Sequence, residues 1–114
     1  MTRFPNGLST PAASIGILAV GEGASISKIA VYSPNVGTVT TIGANTTQER
    51  DFTVAGLLAT DIIVAINKPT AQAGLGIVGM RVKAANTLSI TYINATASAI
   101  VPTAEAYSVV AFSI

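Results

Sequence analysis

Apolar and polar residues alternate with period two in several short windows of this chain, and no window carries a sustained helical stripe. Over residues 78–83, Val78, Met80 and Val82 point one way while Gly79, Arg81 and Lys83 point the other. Over residues 88–94, Leu88, Ile90 and Tyr92 share a face against Ser89 and Thr91. This is the side-chain alternation of a strand. Ala84-Ala85-Asn86-Thr87 separates the two windows, and Asn86 tolerates the left-handed backbone that short hairpin loops need. A β-hairpin is predicted here. Further strands are predicted at 27–33, 37–42, 48–54, 61–67 and 107–114. Turn signals such as Ser33-Pro34-Asn35, Gly43-Ala44-Asn45 and Asn67-Lys68-Pro69 lie between them.

About seven short, regularly punctuated strands predict an all-β fold, a small antiparallel β-sandwich or barrel. Residues 95–106 are Ala-rich, but Thr96, Ser98, Ile100, Val101 and Pro102 predict a loop there. Residues 1–25 lack alternation and begin with two prolines and Asn6-Gly7, which predicts an extended N-terminal arm ahead of a β domain over 26–114.

Some strands are apolar on both faces. Ile62, Val64 and Ile66 oppose Ile63 and Ala65, Ile93 opposes the Leu88, Ile90 and Tyr92 face, and Val109 opposes Val110 and Phe112. The outer face of a monomeric sandwich is expected to be polar. Composition sharpens the point, because 50% of the 114 residues are hydrophobic and only 10% are charged, too few to cover a free monomer in the usual way. Ile63, Ile93 and Val109 are therefore the predicted oligomer-interface residues. The uncharged stretches are threaded with Ser, Thr, Asn and Pro, so none predicts a spanning helix or a membrane partner. Residues 15–20 form a short apolar run interrupted by Gly16, a poor secretory signal.

Candidate chemistry is sparse. The chain has neither His nor Cys, which removes imidazole and thiolate metal sites, His-dependent triads, cysteine nucleophiles and disulfides. No cofactor and no enzymatic activity are expected. The net charge is +1 and the six basic residues are scattered, so no direct nucleic-acid partner is expected. Gly74-Leu75-Gly76-Ile77-Val78-Gly79 spells a dinucleotide fingerprint, but strand periodicity follows it where a helix is required. Glu49 and Asp51 share one strand face with Arg50 opposite, the pattern of a solvated face rather than a carboxylate pair. Asn45-Thr46-Thr47 and Asn94-Ala95-Thr96 match the glycosylation sequon by chance.

The stretch from Asn67-Lys68-Pro69-Thr70 through Gly74-Leu75-Gly76-Ile77-Val78, with Leu88-Ser89-Ile90-Thr91-Tyr92-Ile93-Asn94 and the Ile100-Val101-Pro102-Thr103 turn, resembles small virion structural proteins of tailed bacteriophages. The opening Arg3-Phe4-Pro5-Asn6-Gly7 shares in the likeness, which is to the capsid decoration, or cement, type. The resemblance implies a β-rich homotrimer on the outer capsid surface, made in the bacterial host cytoplasm. There it would bridge copies of the major capsid protein against the pressure of packaged DNA. It implies an arm in which Arg3, Phe4, Pro5 and Asn6 contact the capsid. The alternative reading is a phage fibre, tail or host-attachment component that binds a receptor or glycan.

Overall fold

The computed structural model describes residues 22–114. The predicted arm over 1–25, and with it Arg3, Phe4, Pro5 and Asn6, lies largely or wholly outside the described residues. The described residues form six strands: β1 (Lys28–Tyr32), β2 (Thr46–Thr53), β3 (Ile62–Asn67), β4 (Leu75–Ala84), β5 (Thr87–Asn94) and β6 (Ser108–Ser113). They make two antiparallel three-stranded sheets, ordered β1-β6-β3 and β2-β5-β4. The fold is a small all-β sandwich.

The predicted hairpin is the β4–β5 pair, with Asn86 in its turn at φ 62°. Six strands form rather than about seven, because residues 37–42 do not join a sheet. Val39 and Ile42 of that segment, with Val36 just before it, are buried in the core, and its backbone makes no ladder, only an isolated bridge at Ile42. Asn35 bridges to Ala106 and Ile42 to Ile100, so the 33–45 loop runs beside the predicted 95–106 loop. Hydrogen bonds from Val36 N to Glu105 O (3.0 Å), Tyr107 N to Pro34 O (3.0 Å) and Asn45 N to Thr96 O (3.0 Å) fix the two together. Alternation in 37–42 thus reports one face turned to the core without a ladder on both sides.

β5 and β6, the central strands, supply the middle of the core. Leu88, Ile90 and Tyr92 descend from one sheet and Val109 and Ala111 from the other, and Ile42, Val54, Leu57 and Tyr107 complete the buried cluster. Burying each large aliphatic side chain contributes about 1.5–3 kcal/mol, so most of the stability resides in this layer. Asn94 closes one end. Its buried amide donates to Ile42 O (3.0 Å) and Ser98 O (2.9 Å), while its Oδ1 accepts from Thr96 N (2.9 Å). A side chain so engaged is inaccessible to glycosylation, which excludes one of the two sequon matches.

Candidate functional site

Register decides what each sheet shows to its surroundings. In the β1-β6-β3 sheet, Ile29 pairs with Phe112 and Phe112 with Ile62, so these three form a cross-strand row on one face. Val31, Val110 and Ala65 form the next row, and Val64 is extruded beside it by a β-bulge between Ile63 and Ala65. This face points away from the core. Ile29 is 55% exposed, Val31 67%, Ile62 51% and Val64 45%, with half-buried Val110 and Phe112 between them. Lys28, the one charged residue in these three strands, pairs with Ser113 on the opposite face and sits over the Tyr32 ring at 5.9 Å. The outer face of this sheet is apolar across all three strands.

Of the three residues predicted to form an apolar interface, Val109 belongs to the core. It is fully buried on the inner face with Ala111 and Ser113. Ile63 is half-buried and packs against the core, and Ile93 is half-buried on the outer face of the other sheet. The structure does not bring the three together on one outer surface. The inversion in β6 has a steric and polar cause. Tyr92, Tyr107, Ile42 and Leu57 already fill the interior, so the smaller side chains of β6 fit inward. Ser113 is also held there, its Oγ donating to Asp61 Oδ1 at 2.7 Å. Val110 and Phe112 are left facing out.

The β2-β5-β4 sheet presents a contrasting outer face. Glu49 and Asp51 project from β2, Ser89 and Thr91 from β5, and Arg81 and Lys83 from β4. Arg81 Nε and Nη2 donate to the two Glu49 oxygens at 2.9 Å each, a bidentate pair across the small side chains of β5. Lys83 Nζ donates to Asp51 Oδ2 at 2.7 Å and Ser89 Oγ to Asp51 Oδ1 at 2.6 Å. The Arg81 guanidinium holds the Glu49 carboxyl below its ordinary range. The Lys83 ammonium, followed by the Ser89 hydroxyl, does the same for Asp51. Glu49 and Asp51 do share a face, and their companions are two cations. Arg50 lies on the inner side, its guanidinium donating to Thr41 O at 3.1 Å.

A crevice of about 320 Å³ opens between the β3 and β4 edges, lined in part by Ile66, Lys68, Gln72, Leu75, Ile77 and Tyr92. Its polar side chains are turned onto the chain itself. Lys68 Nζ lies 3.1 Å from Glu105 Oε2, and Thr70 Oγ1 donates to Glu105 Oε1 at 2.7 Å. Burial raises the Glu105 carboxyl, but the Thr70 hydroxyl and Lys68 ammonium outweigh it and leave it below the ordinary range. Gln72 Nε2 donates to Val101 O (3.0 Å) and its Oε1 accepts from Thr103 N (2.9 Å). These contacts tie the β3–β4 connection to the loop before β6. Gly74 opens β4 from a turn at φ +79°, and strand, not helix, follows it through Gly79, so the fingerprint lacks its structural setting.

Among the described residues, no group of three or more acidic, His or Cys side chains gathers where a metal ion could be held. No helix among them is long and apolar enough to cross a membrane. The arrangement that stands out is the pair of unlike sheet faces, one apolar and one ion-paired. Comparisons with protein-family models, curated proteins and solved structures gave no match.

Proposed function

We propose that this chain is a non-enzymatic structural subunit of a virion, of the capsid decoration kind its sequence resembles. In that role it assembles with itself as a homotrimer and bridges major capsid proteins on the outer head. The observation that carries the reading is the apolar outer face of the β1-β6-β3 sheet, set against an ion-paired face on the other sheet. An apolar face spanning three strands marks an interaction surface rather than a solvated one. The ion-paired face suits contact with water. Such a subunit stabilises a shell by adding interface area, and multivalency lets modest single contacts act together.

The test is the copy number of this chain in purified virions. Many copies in fixed ratio to the major capsid protein are expected, together with heat-sensitive heads when the gene is deleted. A few copies at a tail or fibre would overturn the decoration reading in favour of an attachment component. Heads of unaltered heat resistance would overturn the stabilising role.

A further inference from the structure

We propose that the apolar face formed by Ile29, Val31, Ile62, Val64, Val110 and Phe112 is the surface through which copies of this chain bind one another. The inference deepens the structural reading above, since it rests on that face being covered in the assembled protein. Three observations select a second copy over other occupants.

The first is area. The exposed parts of Ile29, Val31, Ile62 and Val64, with Ile114, Ala65, Val110 and Phe112, expose roughly 600 Å² of apolar surface, so two copies together bury roughly 1,200 Å², the lower bound of specific protein interfaces. The second is charge. The rows Ile29-Phe112-Ile62 and Val31-Val110-Ala65 carry none, and the flanking outward pair Asn67 and Ser108 is neutral. A dissimilar partner is usually selected by complementary charge, which this face does not offer. Identical copies need no charge complement, and copies gathered about a closed symmetry axis can cover this apolar face on one another. The third concerns lipid. A membrane-binding face is rimmed by basic and interfacial aromatic side chains. Here the nearby cation, Lys28, is turned to the other side of the sheet, over Tyr32.

The test compares Val31→Glu and Ile62→Glu with Val78→Glu by analytical ultracentrifugation of the full chain over a broad dilution series. Val31 and Ile62 lie on the two edge strands of the face, whereas Val78 is an exposed residue of the other sheet and serves as the control. The wild type is expected to sediment as a multiple of 11.5 kDa. Each face variant should shift toward the monomer, with an unaltered far-ultraviolet spectrum showing that it still folds. The Val78 variant should keep the wild-type mass. A wild type monomeric throughout overturns the proposal, as does an oligomer that both face variants leave intact. Flotation of the wild type with phosphatidylcholine–phosphatidylglycerol vesicles, lost in the face variants, would assign the face to lipid instead. A self-associating chain that is absent from virion shells would overturn the decoration reading alone. A monomeric chain abundant on shells would overturn this inference and the homotrimer with it, and leave the place on the shell standing.

Discussion

Removing one hydroxyl from the Tyr92–Tyr107 pair tests how the interior tolerates polarity. Both rings are fully buried, and the two hydroxyl oxygens lie 2.9 Å apart. Tyr92→Phe leaves the Tyr107 hydroxyl in an apolar core without that partner, and Tyr107→Phe does the converse. A buried polar group so orphaned costs about 1–3 kcal/mol, whereas removing both partners together is close to neutral. The single variants are therefore each expected to lose about 2 kcal/mol, and the double variant to lose less than either single variant. Urea denaturation followed by circular dichroism measures the cycle. The alkaline limb gives an independent readout. Burial, with the Tyr107 hydroxyl second, raises the Tyr92 phenol well above its ordinary value, and burial raises Tyr107 too. An unfolded tyrosine ionises near pH 10, so the unfolded chain releases protons before the folded one. Stability is then fully present below about pH 10 and falls as pH rises further. The double Phe variant should lose most of this alkaline sensitivity. Additive single-variant losses with an unchanged alkaline limb would refute the coupled, dry hydroxyl pair.

Three further outcomes are expected. Gly74→Ala introduces a Cβ that collides with Thr96 Cγ2 at a backbone φ of +79°, and should cost about 2–3 kcal/mol in urea unfolding. Adding Thr96→Ser, which removes that methyl and keeps the hydroxyl that donates to Asn94 Oδ1, should recover the steric part. Asp61→Ala strips the acceptors of Leu58 N (3.0 Å) and Ser113 Oγ (2.7 Å) beneath β3, and should cost about 3 kcal/mol by the same assay. Asp61→Asn, which can bond both partners, should recover much of that loss. Arg81→Gln should return the Glu49 carboxyl toward its ordinary titration midpoint in carbon-13 NMR while leaving the denaturation midpoint nearly unchanged, because the pair is exposed.

Much of the sheet structure was legible because alternation is a local property. The windows at 78–83 and 88–94 became β4 and β5, and Asn86 became the positive-φ turn residue its chemistry suggested. Leu88, Ile90 and Tyr92 face inward as their pattern implied. Alternation does not say which of two apolar faces turns inward. In β6 both Val109-Ala111-Ser113 and Val110-Phe112 are plausible inner sets, and the larger pair would be the simple choice. The decision is made by distant residues. Tyr107 and Tyr92 fill the centre, and Asp61 draws Ser113 inward. Predicted residues Ile63 and Val109 accordingly lie on the core side of their sheet, with the exposed apolar row on the opposite side. The Glu49–Arg81 and Asp51–Lys83 pairs were half visible, since each strand showed two like charges on one face. Their meeting depends on β5 lying between β2 and β4 with only small outward side chains, and that is a property of topology.

The same separation bears on why the chain carries so few charges. The charges on Glu49, Asp51, Arg81 and Lys83 are concentrated on one sheet, where each meets its opposite. Lys68 and Glu105 pin one loop to another, and Arg50 braces the 33–45 loop from within. The outer face of β1-β6-β3 therefore receives none, although Val31 and Ile62 stand on edge strands where a Lys or Glu would fit without disturbing the core. Exposed edges of sheets are ordinarily protected by such charges, because uncharged apolar edges invite further association. The β1 edge has only the inward-turned Lys28 and the β3 edge only its bulge, so the outer face bears no charge at either edge or across the middle, beside a sheet whose outward charges are paired. Introducing a charge at Val31 or Ile62 is for that reason the most direct test of the proposed assembly, since it changes the surface while leaving the interior as it is.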